Sequence, residues 1–295
     1  MLGLKLQETN RQVLMAGDER NIGIIAGGGQ FPLLFIEAAH KEGRRVIVVA
    51  HKGETDARVA EAADAVLWVK LGQLGKVISF LKKEGVGETV FLGTITKTQI
   101  FRDVLPDLKA LSLWNKIDMK QDDAILRAIA AALEQEGIKV LESTIFLRHL
   151  LFPVGVLTKA RPNEKQRRDI AFGWQNARAI GRLDIGQCVV VRNCTVLAVE
   201  AIEGTDAAIL RGGTLAKEKA VVVKVKKPGQ DFRFDLPATG LTTIKTLQRV
   251  KGAVLAVEAG QSLLFDRDEM INEANKSGII VVGVTENEDG SLVMG

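Results

Sequence analysis

The sequence predicts an α/β protein: an N-terminal Rossmann-like domain with a parallel sheet, then a second α/β domain with a mixed sheet, and a substrate cleft between them. Three observations predict this. Short Val/Ile-rich runs alternate with helix-period segments through the first half of the chain, three consecutive glycines follow the first such run, and a hairpin pattern appears in the second half.

The first strand is Ile22–Ala26, which runs into Gly27-Gly28-Gly29-Gln30. Pro32 then opens an apolar helix to about Glu42, a position where the missing N–H costs nothing. Strands follow at Arg45–Ala50 and Ala65–Lys70, then a helix to about Glu84 and a strand at Thr89–Leu92. Helices are expected near Asp107–Ile117 and Asp122–Glu136, and a short strand at Lys139–Leu141. In a doubly wound sheet, ligands bind beyond the carboxyl ends of the strands at the topological switch point. With a Rossmann-like strand order, the strand ending at Gly93 lies across that point. Its loop, Thr94-Ile-Thr-Lys97, then faces the glycines. This domain spans 21–145, behind an N-terminal extension of residues 1–20.

Pro153 and Pro162 interrupt regular structure, and the second domain is placed at 146–295. It carries a helix at about Glu164–Ile180, a hairpin at Cys188–Ala201 turning at Arg192-Asn193, a helix after Thr205, a strand at Ala220–Val225, and a strand and helix pair from Ala253 onward. One segment echoes another: Val196-Leu-Ala-Val-Glu-Ala201 recurs as Val254-Leu-Ala-Val-Glu-Ala259. Either strands simply reuse Val, Leu and Ala, or two equivalent strands end in Glu200 and Glu258 at one edge of a sheet.

Composition narrows the function. The net charge of +4 comes from 40 basic against 36 acidic residues spread along the chain, which argues against a nucleic-acid partner. Arg44-Arg45, Arg167-Arg168 and Lys224-Val-Lys-Lys227 read as solvated faces or strand-edge protection. A mild attraction to an anionic membrane surface remains. No run reaches the ~20 apolar residues of a membrane span, and the leader lacks a signal-peptide core, so a cytoplasmic protein is expected. Cys188 and Cys194 read as free thiols.

The glycine loop brings backbone N–H groups and a helix N-terminus together, which suits phosphate. It is not the dinucleotide fingerprint, because Pro32 stands at the third glycine position, and no P-loop lysine follows. The second strand ends in Val49-Ala-His-Lys-Gly53, with Glu54 and Asp56 only later in a loop, so a dinucleotide site is not expected. His40, His51 and His149 are scattered and tyrosine is absent, which leaves carboxylates, cations, hydroxyls, backbone amides or a metal ion to do the chemistry. Asp122 and Asp123 sit where they cap a helix. In Glu203-Gly204-Thr205-Asp206 the last two residues are natural caps, or the turn presents N–H groups and a carboxylate to a phosphate–metal unit. Asp184 reads as a turn residue pairing with Arg182. Asp235 ends Asp231-Phe-Arg-Phe-Asp235 and precedes Leu236-Pro237; the proline holds the turn in a defined path. A carboxylate on such a loop suits a metal ligand or a group that positions water, or else a local cap.

Taken in order, Gly23-Ile-Ile-Ala-Gly-Gly-Gly29 with Pro32, Asp122-Asp-Ala-Ile-Leu-Arg127, Gly181-Arg-Leu-Asp-Ile-Gly-Gln187, Ala198-Val-Glu-Ala-Ile-Glu-Gly-Thr-Asp206 and Asp235-Leu-Pro237 resemble the UDP-2,3-diacylglucosamine pyrophosphatase family of lipid A biosynthesis, the type unrelated to the metallophosphoesterases. The resemblance runs from about Ile22 to Val284. It implies two domains with substrate between them, Mg²⁺ dependence, and hydrolysis of a lipid-linked nucleotide sugar to UMP and 2,3-diacylglucosamine 1-phosphate (lipid X) by water attack at the β-phosphorus. The family's key acid maps onto Asp235. The expected site is then Asp235 as catalytic residue; Gly27, Gly28, Gly29, Gln30, Gly93, Thr94, Gly204 and Thr205 around the substrate; and Asp235, Asp206, Asp122 and Asp123 near Mg²⁺. Ala238-Thr239 departs from the Thr-Ile expected there. The acyl chains require an apolar channel, for which Phe146-Leu-Arg-His-Leu-Leu-Phe152 is a candidate beside the plainer reading of a buried helix. Peripheral contact with the inner membrane follows, and a homo-oligomer is compatible with the sequence. Two other classes compete: a nucleotide-sugar oxidoreductase, and a non-catalytic UDP-sugar sensor.

Overall fold

The computed structural model describes residues 20–95, Asp107, Ala110, 124–234 and 236–295. The chain forms two compact units that divide between Leu147 and Arg148, and the short piece Phe232–Phe234 belongs to the first.

In the first unit, β1 (Asn21–Ala26), β2 (Arg45–His51), β3 (Ala65–Val69), β4 (Glu88–Leu92) and β5 (Lys139–Val140) pair in the order β3-β2-β1-β4-β5, every pair parallel. This is the Rossmann-like order, so β1 and β4 flank the switch point as expected. β1 is buried along its whole length, the pattern of a central strand covered on both faces. Among the described residues the helices of this unit are α1 (Phe31–Lys41), α2 (Val59–Ala62), α3 (Leu74–Lys83) and α4 (Ala124–Gln135). Leu74, Val77, Ile78 and Leu81 recur at helical spacing on α3 and join Ile25, Ile47, Val49 and, from α4, Leu133 in one core. Phe234 returns from far along the chain to the same core, meeting Phe91 edge-on with ring centroids 5.5 Å apart. Of the helix expected near 107–117, most lies outside the described residues; Asp107 accepts hydrogen bonds from the Gly75 and Ala110 amides.

The second unit contains β6 (Gly155–Val156), α5 (Glu164–Arg182), β7 (Cys188–Arg192), β8 (Thr195–Val199), α6 (Thr205–Ala216), β9 (Val221–Lys224), β10 (Ala238–Thr239), α7 (Leu241–Arg249), β11 (Val254–Glu258), β12 (Leu263–Leu264), α8 (Arg267–Lys276), β13 (Ile280–Glu286) and β14 (Leu292–Val293). Its sheet runs β14-β13-β11-β9-β7-β8, with β6 added to β13, and mixes parallel and antiparallel pairs. Ile170, Trp174 and Ala177 of α5 cover one face; Ile209, Ile244, Leu247 and Met270 from α6, α7 and α8 cover the other. α5 starts at a capping box in which Asn163 and Gln166 exchange side-chain and backbone hydrogen bonds.

Several local expectations change. The hairpin turns at Asn193-Cys194, one residue later than expected, with both residues left-handed at φ 50° and 52° as a tight two-residue hairpin requires. The Asp169 carboxylate holds that turn by accepting both amides. Both cysteines are free, Cys188 buried and Cys194 exposed. Asp184 pairs with Lys227 at 2.6 Å rather than with Arg182. Lys224 is buried, not solvated. Phe146–Phe152 is neither a helix nor one continuous element: a single 3₁₀ turn covers Arg148–Leu150, Phe146 meets Phe35 with the ring planes tilted by 45°, and Phe152 lies in the core of the second unit.

Candidate active site

Each unit presents a separate candidate region at the carboxyl ends of its strands. In the first, Gly27 donates to the Leu92 carbonyl at 2.8 Å, and Gly28 and Thr94 exchange backbone hydrogen bonds at 2.7 and 3.1 Å. A Cβ on Gly27 would meet the Thr94 carbonyl oxygen at 2.5 Å, and one on Gly93 the Gly28 carbonyl oxygen at 2.3 Å. These glycines are therefore required first by a backbone-on-backbone crossing of the loops after β1 and β4. The Gly27 and Gly28 amides are committed to protein carbonyls. Gly29 is exposed with φ 89°, and α1 follows it with Gln30 as an N-cap that makes no side-chain cap bond and with no acid in the first turn. A helix start of that kind carries positive potential, which suits phosphate.

The end of β2 borders the same loop. His51 shares a hydrogen bond of 2.9 Å with the Ala26 carbonyl, which also accepts from Thr55 Oγ1, and burial lowers the imidazole pKa below its ordinary value. A Cβ on Gly28 would lie 3.8 Å from a Glu54 carboxylate oxygen. Glu54 thus approaches the glycine loop, although the sequence placed it in a connecting loop. Its position depends on the Thr55–Ala26 contact, for which spacing gives no signal. Asp56 is taken by Arg58, which holds its pKa at about 2.

In the second unit, β8 is antiparallel to β7, and β7 is antiparallel to β9, so β8, β9 and β11 run the same way. Glu200 and Glu258 therefore do emerge at the same end of the sheet. The strands are not equivalent, because β8 is an edge strand and β11 an interior one, and the two carboxylates serve opposite faces. Glu258 pairs with Arg178 of α5 at 2.9 Å and accepts the Lys226 amide at 2.7 Å; burial still raises its pKa. Around it Arg178, Gln261, Glu286, Asn287 and Glu288 line a cavity of about 620 Å³.

Glu200 lies on the α6 side and accepts the Thr205 hydroxyl at 2.8 Å. Neither Thr205 nor Asp206 caps α6: the N-cap is Gly204, at φ 86°, and among the described residues no side-chain cap bond is made. Asp206 stands exposed in the first turn. Asp235, Asp122 and Asp123 lie outside the described residues. The loop just after Asp235 is firmly held: Leu236 is buried, the Pro237 carbonyl accepts the Leu263 amide at 2.7 Å, and Ala238 pairs with Leu263 in the β10–β12 ladder. Lys224 Nζ donates to the Ala238 carbonyl at 2.7 Å, a contact the sequence reading missed because it took this lysine for a surface charge.

Among the described residues no three His, Cys, Asp or Glu side chains converge on a metal site. Mg²⁺ bridging substrate phosphates keeps several waters and needs only one or two carboxylates. The exposed Asp206 suits such an open arrangement.

Residues 21–150 match the family model of the LpxI N-terminal domain, and residues 153–282 that of the LpxI C-terminal domain. The chain belongs to the LpxI family. Its relatives include the UDP-2,3-diacylglucosamine pyrophosphatase LpxI of Caulobacter vibrioides, 34% identical over 280 residues that cover 91% of this chain and 99% of that one. Coverage of both LpxI domains explains why all five sequence segments fall in family order. Among solved structures, the biotin carboxylase subunit of pyruvate carboxylase is 13% identical with a TM-score of 0.26, covering 62% of this chain and 38% of that one. The Hydrogenobacter thermophilus 2-oxoglutarate carboxylase biotin carboxylase domain has a TM-score of 0.28 at 11% identity, covering 93% and 62%. Likeness at that level carries no functional argument.

Proposed function

We propose that this LpxI-family chain hydrolyses the diphosphate bond of UDP-2,3-diacylglucosamine, releasing UMP and 2,3-diacylglucosamine 1-phosphate. The observation that carries the reading is the relative of that activity, matched over 99% of its own length. The geometry supports it in two ways. The start of α1 has no acid in its first turn and carries the positive end of a helix dipole, and the loop after Asp235 is anchored by a backbone ladder and by Lys224. Asp235 holds or orients the attacking water, Gly29 and Gln30 bind phosphate oxygens, and Thr205 with the amides of the α6 first turn positions the polar part of the substrate. Mg²⁺, held by Asp235 and Asp206 with Asp122 and Asp123 as further candidates, supplies charge neutralisation on the diphosphate when bound. Purified protein with Mg²⁺ is expected to convert the substrate to UMP and lipid X on a thin-layer plate; recovery of intact substrate contradicts the reading.

Among the described residues no helix is long and apolar enough to cross a membrane. A diacylated substrate nevertheless has to be met at a lipid surface. Leu183, Ile185 and Ile202 are exposed large apolar side chains in two loops that touch where Gly186 packs on the Glu200 backbone. These loops are the proposed membrane contact, assisted by the net charge of +4. Binding to anionic vesicles is expected to weaken in 1 M salt, where screening acts within ~3 Å, and to weaken further in a Leu183→Asp/Ile202→Asp protein. Equal sedimentation of wild type and double variant with vesicles would remove these loops from the contact.

A further inference from the structure

The carboxyl end of the second sheet carries a row of three residues on one face. Cys188 pairs directly with Lys224, and Glu200 continues the β8 register on its other side, donating its amide to the Cys188 carbonyl at 2.9 Å. Directly opposed residues in antiparallel strands project to the same face, and strands lie about 4.8 Å apart, so Glu200 and Lys224 flank Cys188 at a separation of about 10 Å. All three are buried: Glu200 is 6% exposed, Lys224 5% and Cys188 0%. The thiol registers both charges, since burial and Glu200 raise its pKa while Lys224 lowers it.

Both charges have open valence. Glu200 Oε1 is taken by Thr205, but among the described residues Oε2 is buried without a partner. Lys224 has three N–H bonds, and among the described residues its one hydrogen bond goes to a neutral carbonyl, that of Ala238, with no ion pair. A buried carboxylate oxygen and a buried ammonium left in this state are each costly, by more than an ordinary lost hydrogen bond. A ligand that brings an anion to Lys224 and a hydrogen-bond donor to Glu200 relieves both costs together. A neutral donor fits Glu200 better than a cation does, because the buried Lys224 ammonium already supplies the positive charge on this face.

We propose that Glu200 and Lys224 form a subsite for a phosphorylated sugar, with phosphate on the Lys224 ammonium and a sugar hydroxyl on Glu200 Oε2. The inference rests on the nucleotide-sugar reading above and assigns two of its binding residues. The substrate contains two such groups: the ribose 5′-phosphate of UMP and the glucosamine 1-phosphate.

Calorimetry with UMP, glucosamine 1-phosphate and inorganic phosphate tests the subsite without requiring turnover. Wild-type protein is expected to bind one of the two sugar phosphates at least tenfold more tightly than phosphate, and the preferred one names the half of the substrate held here. Lys224→Met is expected to weaken the preferred sugar phosphate tenfold or more. Glu200→Gln, which preserves side-chain volume, and Glu200→Ala are both expected to reduce the sugar phosphate toward the affinity of phosphate while leaving phosphate unchanged. Circular dichroism confirms the fold of each variant, and Lys224→Gln replaces Lys224→Met if that protein is unfolded. Wild-type affinity in folded Lys224 variants overturns the proposal, as does a wild-type preference for sugar phosphate over phosphate in both Glu200 variants. Wild-type protein that binds sugar phosphate no better than phosphate also overturns it. Turnover of UDP-2,3-diacylglucosamine by the wild type is measured alongside, so a failed subsite is told apart from a failed functional reading.

Discussion

Asp235→Ala is expected to lower kcat by about 10² or more while preserving ligand binding. If Asp235 holds the metal or orients water, its contribution belongs to the transition state, where charge builds on the diphosphate. On the proposed site, ground-state affinity rests on other groups: the α1 start, the α6 start and Lys224. Removing a carboxylate near a diphosphate also relieves repulsion, so the variant is expected to retain intact substrate through purification where the wild type retains product. Mass spectrometry of the extracted ligand checks this. Near-normal kcat in the variant would reject Asp235 and bring Asp206 forward as the essential acid. Loss of folding together with activity would assign Asp235 a turn-capping role instead.

Gly93→Ala is expected to destabilise the first unit by about 3 kcal/mol or more. The position has φ 84°, and a Cβ there would stand 2.3 Å from the Gly28 carbonyl oxygen, a backbone atom that cannot swing away. Gly43→Ala provides the control, since Gly43 has φ 70° but nothing within 4 Å of a Cβ. That variant is expected to lose about 1 kcal/mol, from the positive φ alone. The two urea unfolding midpoints, compared under the same conditions, separate strain from steric conflict. Equal losses would mean that the glycine-loop crossing gives way and that its glycines serve another purpose.

Much of the first unit is legible in the sequence because its central strands β1, β2 and β4 are buried on both faces. Runs such as Val46–Ala50 are then continuous and apolar, and α3 shows its buried stripe at helical spacing. The role of the glycines is only half legible. Three in succession announce a tight approach, but not that Gly27 gives its amide to the end of β4 and Gly28 to the loop that follows. The second unit hides more. The repeated Val-Leu-Ala-Val-Glu-Ala correctly marks two strands ending on one side, yet burial pattern alone does not distinguish an edge strand from an interior one or one face from the other. Lys224 is the clearest miss, since a lysine in a basic run reads as solvated. Only the register of β9 against β7 places it beside Cys188, and only the fold of the loop after Asp235 gives it the Ala238 carbonyl.

The most direct test of the account is phosphorus NMR of UDP-2,3-diacylglucosamine incubated with the wild-type protein in ¹⁸O-enriched water, with Mg²⁺ and with EDTA. The expected result is loss of both diphosphate resonances only in the Mg²⁺ sample. Two phosphomonoester signals replace them, UMP and the sugar 1-phosphate, with the isotope shift on the sugar 1-phosphate as attack at the β-phosphorus requires. An unchanged diphosphate spectrum in the presence of Mg²⁺, or cleavage that leaves UDP intact, would contradict it.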